Sequence, residues 1–153
     1  MFSLFSSKQQ NIMTRAEKKR VVHAIKAVEK QTSGEVRVYI EGNCPVDNSM
    51  ARCIELFQHL NMHKTALRNA VLIYLATDDR KYAIFGDEGI YAKAGADYWQ
   101  EKASVLVAHL RLGSYAEGLE KCVQAIGLSL ANYYPPTGNS KNELPDDIIF
   151  GKF

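Results

Sequence analysis

The chain has 153 residues, of which 46% are hydrophobic and 24% are charged. This composition is typical of a globular domain and excludes a disordered or collagen-like chain. A domain of this length buries about 68–70% of the surface that its unfolded form exposes, so it folds without disulfides or a structural metal. The 19 basic and 17 acidic residues give a net charge of +2. This charge is too small to predict binding to nucleic acid or to an anionic membrane.

Cellular location is predicted from the start of the chain, the apolar runs and the cysteines. Residues 1–7 lack the basic start and the apolar stretch of about 7–15 residues that a signal peptide has. The longest apolar run, residues 70–76, is far shorter than the ~20 residues of a membrane-spanning helix. The cysteines have no CxxC spacing, which argues against a disulfide framework or a zinc ribbon. We therefore expect a cytoplasmic monomer without nucleic-acid or membrane partners, and an unidentified protein partner stays open.

The first part of the chain predicts a helix, a strand and a second helix. Residues 14–17 (TRAE) form a capping box, and the helix that follows ends near Gln31. Residues 35–41 alternate between polar and apolar side chains, which is the pattern of a half-buried strand. Apolar residues at helical spacing then predict a second amphipathic helix with Met50, Cys53, Ile54, Phe57 and Leu60 on one face.

The middle of the chain predicts a β-hairpin. Residues 70–75 are apolar throughout, which is typical of a strand buried on both faces and therefore central in its sheet. Residues 78–80 (DDR) favour a turn, and residues 81–85 form the partner strand. Residues 86–89 (GDEG) end this strand sharply.

Two further helices are predicted after the hairpin. The first carries an apolar stripe that ends at Gly113, placed as the C′ residue. Residues 114–117 (SYAE) form a second capping box, and the helix that they open ends at Pro135 and Pro136. Cys53 and Cys122 fall on apolar helix faces and are predicted to be buried.

The order of these elements predicts an α/β fold. Two strands joined by a helix form a parallel βαβ unit, and the third strand pairs antiparallel with the second. We predict a three-layer α/β/α sandwich, in which a small mixed sheet has helices on both faces. The domain covers residues 14–136 and follows a flexible lead-in over residues 1–13. The tail, residues 137–153, contains Leu144, Ile148, Ile149 and Phe150 and is expected to dock on the domain.

Four segments resemble the TPM domain, a family named for thylakoid-lumen, photosystem II repair and ion-channel-modulator members. They are residues 32–38 (TSGEVRV), 68–76 (RNAVLIYLA), 78–81 (DDRK) and 86–90 (GDEGI). Residues 142–148 (NELPDDI) resemble the short, soluble bacterial branch of this family. The resemblance extends from about Thr14 to Lys152. It implies the same α/β sandwich, a divalent-cation site and a phosphatase activity.

Carboxylates fall at both edges of the predicted sheet, and calcium and magnesium bind through several oxygen ligands. The first and second strands begin and the third strand ends at one edge, where Glu35, Asn69, Asp87 and Glu88 are predicted to converge. The opposite edge holds Glu41, Asp78 and Asp79, and the two aspartates are also residues that a tight turn favours. We predict a calcium or magnesium site at the first edge, with the second edge as the rival location. A solvated loop is the alternative for residues 86–89.

The sequence gives less evidence for catalysis. It contains no GxSxG motif and no glycine-rich phosphate loop, and we assign no catalytic residue. A phosphatase built on this chain needs the metal to supply both the positive charge and the activated water. We therefore favour a non-catalytic cation-binding or assembly-assisting protein, and the alternative is a metal-dependent phosphatase acting on phosphomonoesters. An arginine aimed at the carboxylates would favour the phosphatase, and Arg68 is the candidate placed at the first edge.

Overall fold

The computed structural model describes residues 12–137 and 147–153. These residues form five helices and four strands. In chain order the elements are α1 (Arg15–Gln31), β1 (Glu35–Glu41), α2 (Ser49–His59), β2 (Ala70–Ala76), β3 (Lys81–Gly86), α3 (Glu88–Ala94), α4 (Ala96–Arg111), α5 (Tyr115–Tyr133) and β4 (Ile148–Phe150).

The four strands form one mixed sheet in the order β3-β2-β1-β4. β1 and β2 run parallel, with Glu35 opposite Ala70 and Glu41 opposite Ala76. β3 runs antiparallel to β2, and β4 runs parallel to β1. All seven residues of β2 are buried, which confirms the prediction of a central strand from its unbroken apolar run.

Helices cover both faces of the sheet, as predicted for a three-layer α/β/α sandwich. On one face, α1 and α5 pack on the apolar residues of β1 and β2, together with Leu106 of α4. On the other face, α2 packs on the alternate residues of the same strands, and its largest buried side chain is Phe57. Cys53 is fully buried on the face that α2 covers, and Cys122 is fully buried on the face that α1 and α5 cover. Burial raises the pKa of each thiol to about 12.

The first predicted capping box is present at the start of α1. The Glu17 N–H donates to the Thr14 hydroxyl at 3.1 Å, and the Thr14 N–H donates to the Glu17 carboxylate at 2.9 Å. The second predicted capping box is wrong, because the Ser114 side chain makes no capping bond. The backbone of Ser114 is held instead by the end of α4, since its N–H donates to the His109 carbonyl at 3.0 Å.

The end of α4 is a Schellman motif. The Gly113 N–H donates to the Leu110 carbonyl at 3.0 Å, and Gly113 has a φ of +73°. This left-handed conformation favours glycine, so the prediction of Gly113 as the C′ residue is confirmed. Across the described ranges, no helix is both long and apolar enough to cross a membrane.

Candidate functional site

The amino edge of the sheet is the edge where β1 and β2 begin and β3 ends. Asp87 lies here, directly after β3, and caps the first turn of α3. The alternative of a solvated loop over residues 86–89 is therefore wrong, since α3 begins at Glu88. The Asp87 carboxylate is buried, at 3% exposure, and accepts the Glu88 N–H at 2.8 Å. A buried carboxylate needs several donors, and the neighbouring arginine supplies the others.

Arg68 binds Asp87 with both arms of its guanidinium group. Its Nε donates to Oδ2 of Asp87 at 2.6 Å, and its Nη2 donates to Oδ1 at 2.8 Å. Nη1 lies 3.2 Å from the carboxylate of Glu88, whose side chain is 73% exposed. The hydrogen bond with Asp87 raises the pKa of Arg68. Three N–H groups of one arginine thus serve two of the predicted cation ligands.

The backbone of Arg68 is fixed in an unusual conformation. Its φ is +52°, in the left-handed region that only a few non-glycine residues occupy. The Arg68 carbonyl accepts the Gly89 N–H at 2.9 Å. A Cβ atom on Gly89 would collide with the carbonyls of Leu67 and Arg68, so only glycine allows this close approach. The contact between these two segments is therefore set by the backbone as well as by the ion pair.

Glu35 is placed apart from the other two predicted ligands. β1 and β3 flank β2, so their ends are separated by two strand spacings, or roughly 10 Å. Glu35 is buried on the face of the sheet that α2 covers, where Arg37 is its neighbour along β1. Burial lowers the pKa of Arg37, and Glu35 and Asp147 oppose this shift. The structure therefore brings Asp87 and Glu88 together around Arg68 and leaves Glu35 on another strand.

The carboxyl edge is the opposite edge, where β1 and β2 end and β3 begins. Asp79 accepts the side-chain amide of Asn43 at 2.9 Å and the Cys44 N–H at 2.6 Å. These bonds lower the pKa of Asp79, and the bond from Asn43 has the larger effect on it. Asp78 is exposed, and its N–H donates to the Gly42 carbonyl at 2.7 Å. Asp79 therefore fastens the loop after β1 to the hairpin turn.

Sequence reasoning placed Glu41 at the carboxyl edge but missed the buried polar network that this residue forms. Glu41 is 5% exposed, and both of its oxygens accept N–H groups of Arg52 at 2.9 Å. The Tyr74 hydroxyl donates to the same carboxylate at 2.5 Å, and Arg52 also pairs with Glu55. Burial and the bond with Glu41 raise the pKa of Tyr74. A tyrosine within an otherwise apolar central strand was the available signal, because its buried hydroxyl requires a partner.

At neither edge are enough carboxylate oxygens available as ligands for a divalent cation. Calcium takes about 6–8 oxygen ligands. The oxygens of Asp87 are held by Arg68, those of Glu41 by Arg52, and those of Asp79 by N–H donors. Among the residues that the structure describes, no three His, Cys, Asp or Glu side chains are grouped so as to hold a metal ion.

Comparison with known proteins places the fold in a family. Residues 6–128 match the model of the TPM domain. The BA42 protein of the psychrophilic bacterium Bizionia argentinensis is 34% identical, and its NMR structure superposes with a TM-score of 0.83 over 89% of this chain and 93% of that chain. The N-terminal domain of the cg2496 protein of Corynebacterium glutamicum has a TM-score of 0.62 at 14% identity, over 86% and 80% of the two chains, and shows the fold alone. A search of curated proteins gave no match. On the family match and the similarity to BA42, the chain belongs to the TPM domain family.

Proposed function

We propose that this TPM domain is a non-catalytic protein that binds a partner or assists its assembly. It does not hydrolyse phosphomonoesters. The observation that supports this function is the two-armed ion pair between Arg68 and the buried Asp87. This pair joins the start of β2 to the start of α3, and its geometry is that of a structural contact. The cytoplasmic location stays a prediction.

The metal-dependent phosphatase is the alternative, and Arg68 is the arginine that this alternative needs. Arg68 does reach the carboxylates of the amino edge, as a phosphate-binding group would. However, its one positive charge is shared by two carboxylates, so Arg68, Asp87 and Glu88 together carry a net charge of −1. A phosphoryl anion is repelled by such a group unless a cation compensates it.

Arg68 occupies the place at which a cation would contact Asp87 and Glu88. We propose that calcium or magnesium binds there only by displacing the guanidinium group, which makes binding to the natural chain weak. Arg68→Gln frees both carboxylates and leaves them to repel each other. A cation then relieves that repulsion and gains ligands.

The test is a calcium titration followed by thermal unfolding and by backbone amide NMR shifts. We expect calcium to raise the melting temperature of Arg68→Gln by several degrees, since a cation that binds only the native state stabilises it. The natural chain should change little. Lys64→Gln is the matched control, because it removes one exposed positive charge from the same connecting segment. Adding Asp87→Asn to Arg68→Gln should abolish the response.

Two results would count against this proposal. The first is strong calcium binding by the natural chain that Asp87→Asn abolishes and Arg68→Gln leaves unchanged, which would restore the cation site predicted from the sequence. Loss of the response in Asp79→Asn would instead place that site at the carboxyl edge. The second is turnover of a phosphomonoester such as p-nitrophenyl phosphate with magnesium or calcium, at a rate that depends on Asp87. That turnover would establish the phosphatase.

A further inference from the structure

We propose that a cleft at the carboxyl edge binds an extended acidic peptide segment of a partner protein. The cleft has a volume of about 560 Å³ and lies between the β2–β3 hairpin, the end of α4 and the start of α5. This proposal rests on the proposed function in one respect, because it requires that the partner is bound and not chemically changed. We call this cleft the basic cleft, after Arg80, Lys81 and Arg111, which line it.

The charge of the basic cleft is poorly compensated by the protein itself. Within residues 12–137 and 147–153, neither Arg80 nor Arg111 makes an ion pair with a carboxylate. Lys81 donates to the carbonyl of Asp47 at 2.9 Å and lies near Asp79. The carboxylate of Asp79 is turned toward Asn43 and the Cys44 N–H, as described above. Three cations around one depression attract an anionic ligand, and the carboxylates of the protein itself compete little with that ligand.

The lining between these cations is apolar. Leu75 is buried in β2, and Val107 and Leu110 are partly buried in α4. The aromatic rings of Tyr82 and Tyr115 complete this lining. A volume of this size accepts one large apolar side chain as an anchor, with charged groups around it. The preferred ligand therefore combines an apolar residue with flanking carboxylates.

Two features favour a peptide over a small organic anion. A second depression, of about 420 Å³, shares Arg80, Lys81 and Tyr82 with the basic cleft and continues across β3 toward Met50. Leu112 follows Arg111 in the chain and is a large apolar side chain that is 81% exposed. The binding surface thus extends beyond the basic cleft across β3. A peptide of about five residues spans roughly 17 Å when extended and can follow such a surface.

The test uses a fluorescent five-residue peptide, Asp-Glu-Phe-Glu-Asp, and follows its binding to the full chain by anisotropy and by amide NMR shifts. We expect shifts confined to the segments that line the two depressions, which are residues 49–50, 75–77, 80–84, 99–103 and 107–115, and weaker binding at higher salt. Asn-Gln-Phe-Gln-Asn tests the need for charge, and Asp-Glu-Ser-Glu-Asp tests the need for the anchor. Both should bind at least about fivefold more weakly, a ratio that corresponds to the loss of one modest interaction.

The variants are chosen to leave the fold intact. Arg80 has a φ of +54°, which glycine tolerates, so Arg80→Gly removes the charge without adding strain. Arg111→Ala changes an exposed position in the last turn of α4. Each should weaken binding about threefold to fivefold, whereas Lys26→Ala on the exposed face of α1 should have no effect. Circular dichroism and the spread of amide signals verify folding.

Three outcomes would overturn the proposal. One is equal binding of the uncharged peptide, and another is a set of shifts that maps to α1. The third is binding to vesicles of phosphatidylserine and phosphatidylcholine that requires Arg80 and Arg111, with no binding of the acidic peptide, which would identify a membrane surface as the partner. None of these outcomes affects the proposed function, which is tested by calcium response and phosphomonoester turnover at the amino edge.

Discussion

The carboxylates of this chain differ in what holds them, and that difference decides what each can do. Glu41 and Asp87 are both almost fully buried, and each is bound by both arms of an arginine. Asp79 is exposed and accepts two N–H groups of a neighbouring loop. Buried carboxylates with such partners hold structure together, because loss of the partner leaves an unpaired charge in the interior.

The Glu41 network gives the prediction at the scale of single residues. Glu41→Gln keeps the size of the side chain but leaves Arg52, whose side chain is 16% exposed, without its buried counter-charge. We expect a loss of about 3–5 kcal/mol in the free energy of unfolding, the usual cost of breaking a buried ion pair from one side. Urea unfolding measures this loss. Arg52→Leu/Glu41→Leu should be less destabilised than Glu41→Gln alone, and equal losses would contradict the network.

Sequence identified the edge residues but not their partners. Arg68 and Asp87 are 19 positions apart, and their contact depends on a left-handed backbone at Arg68 that no local pattern announces. Arg52 lies between apolar residues in the sequence of α2, and nothing in that pattern indicates that its long side chain extends to the carboxylate of Glu41. Glu35 and Asp87 belong to the ends of β1 and β3, and β2 lies between these two strands.

At the scale of elements, the long helices and the first three strands were predicted in their places, whereas α3 and β4 were missed. The prediction that β1 is half-buried is wrong, because its polar face is buried as well. α1, α2 and α5 each bury an apolar stripe that is visible in the sequence, and the stripe of α4 packs on the core with only Leu106 buried. α3 has seven residues and begins within a glycine-containing segment, which was interpreted as a loop. β4 has three residues, too few to show an alternating pattern. Both are fixed by neighbours that are distant in the chain.

β4 carries the prediction at this scale. It covers the edge of β1, with Ile148 opposite Val38 and Phe150 opposite Ile40. Ile148 is 7% exposed and belongs to the main core, so Ile148→Ala should cost about 2–5 kcal/mol in unfolding free energy. Ile149 on the same strand is only partly buried, and Ile149→Ala is the control with a smaller loss. Thermal or urea unfolding measures the loss for each variant. An equal loss for both would show that β4 does not pack through Ile148.

At the scale of the whole molecule, β2 is the element on which both layers depend. Its residues contact helices on both faces of the sheet, and strands flank it on both sides. The sequence predicted this position from six consecutive apolar residues, since a strand covered on one face only would alternate. The three-layer fold could therefore be derived before any contact was known.

Hydrogen exchange tests the role of β2. We expect residues 70–75 to be the most protected amides of the chain, because a central strand opens only when the whole core opens. Ile73→Ala should cost about 2–5 kcal/mol and lower that protection by the same free energy. Exchange of these amides at the rate of the exposed ends of α4 would contradict the layered fold.

The ion pair between Arg68 and Asp87 also closes the β2–β3 hairpin into a ring. The turn joins the strands at one end, where the Arg80 N–H donates to the Thr77 carbonyl, and the ion pair joins them at the other. The open end of a hairpin is where its strands separate first, since no covalent link holds them there. Here separation first requires that a guanidinium group leave a carboxylate that is 3% exposed. Closing a ring of this length costs only a few kcal/mol of chain entropy, because that cost grows slowly with the number of residues enclosed. The pair therefore protects the backbone hydrogen bonds between two strands from fraying, although neither of its residues belongs to a strand.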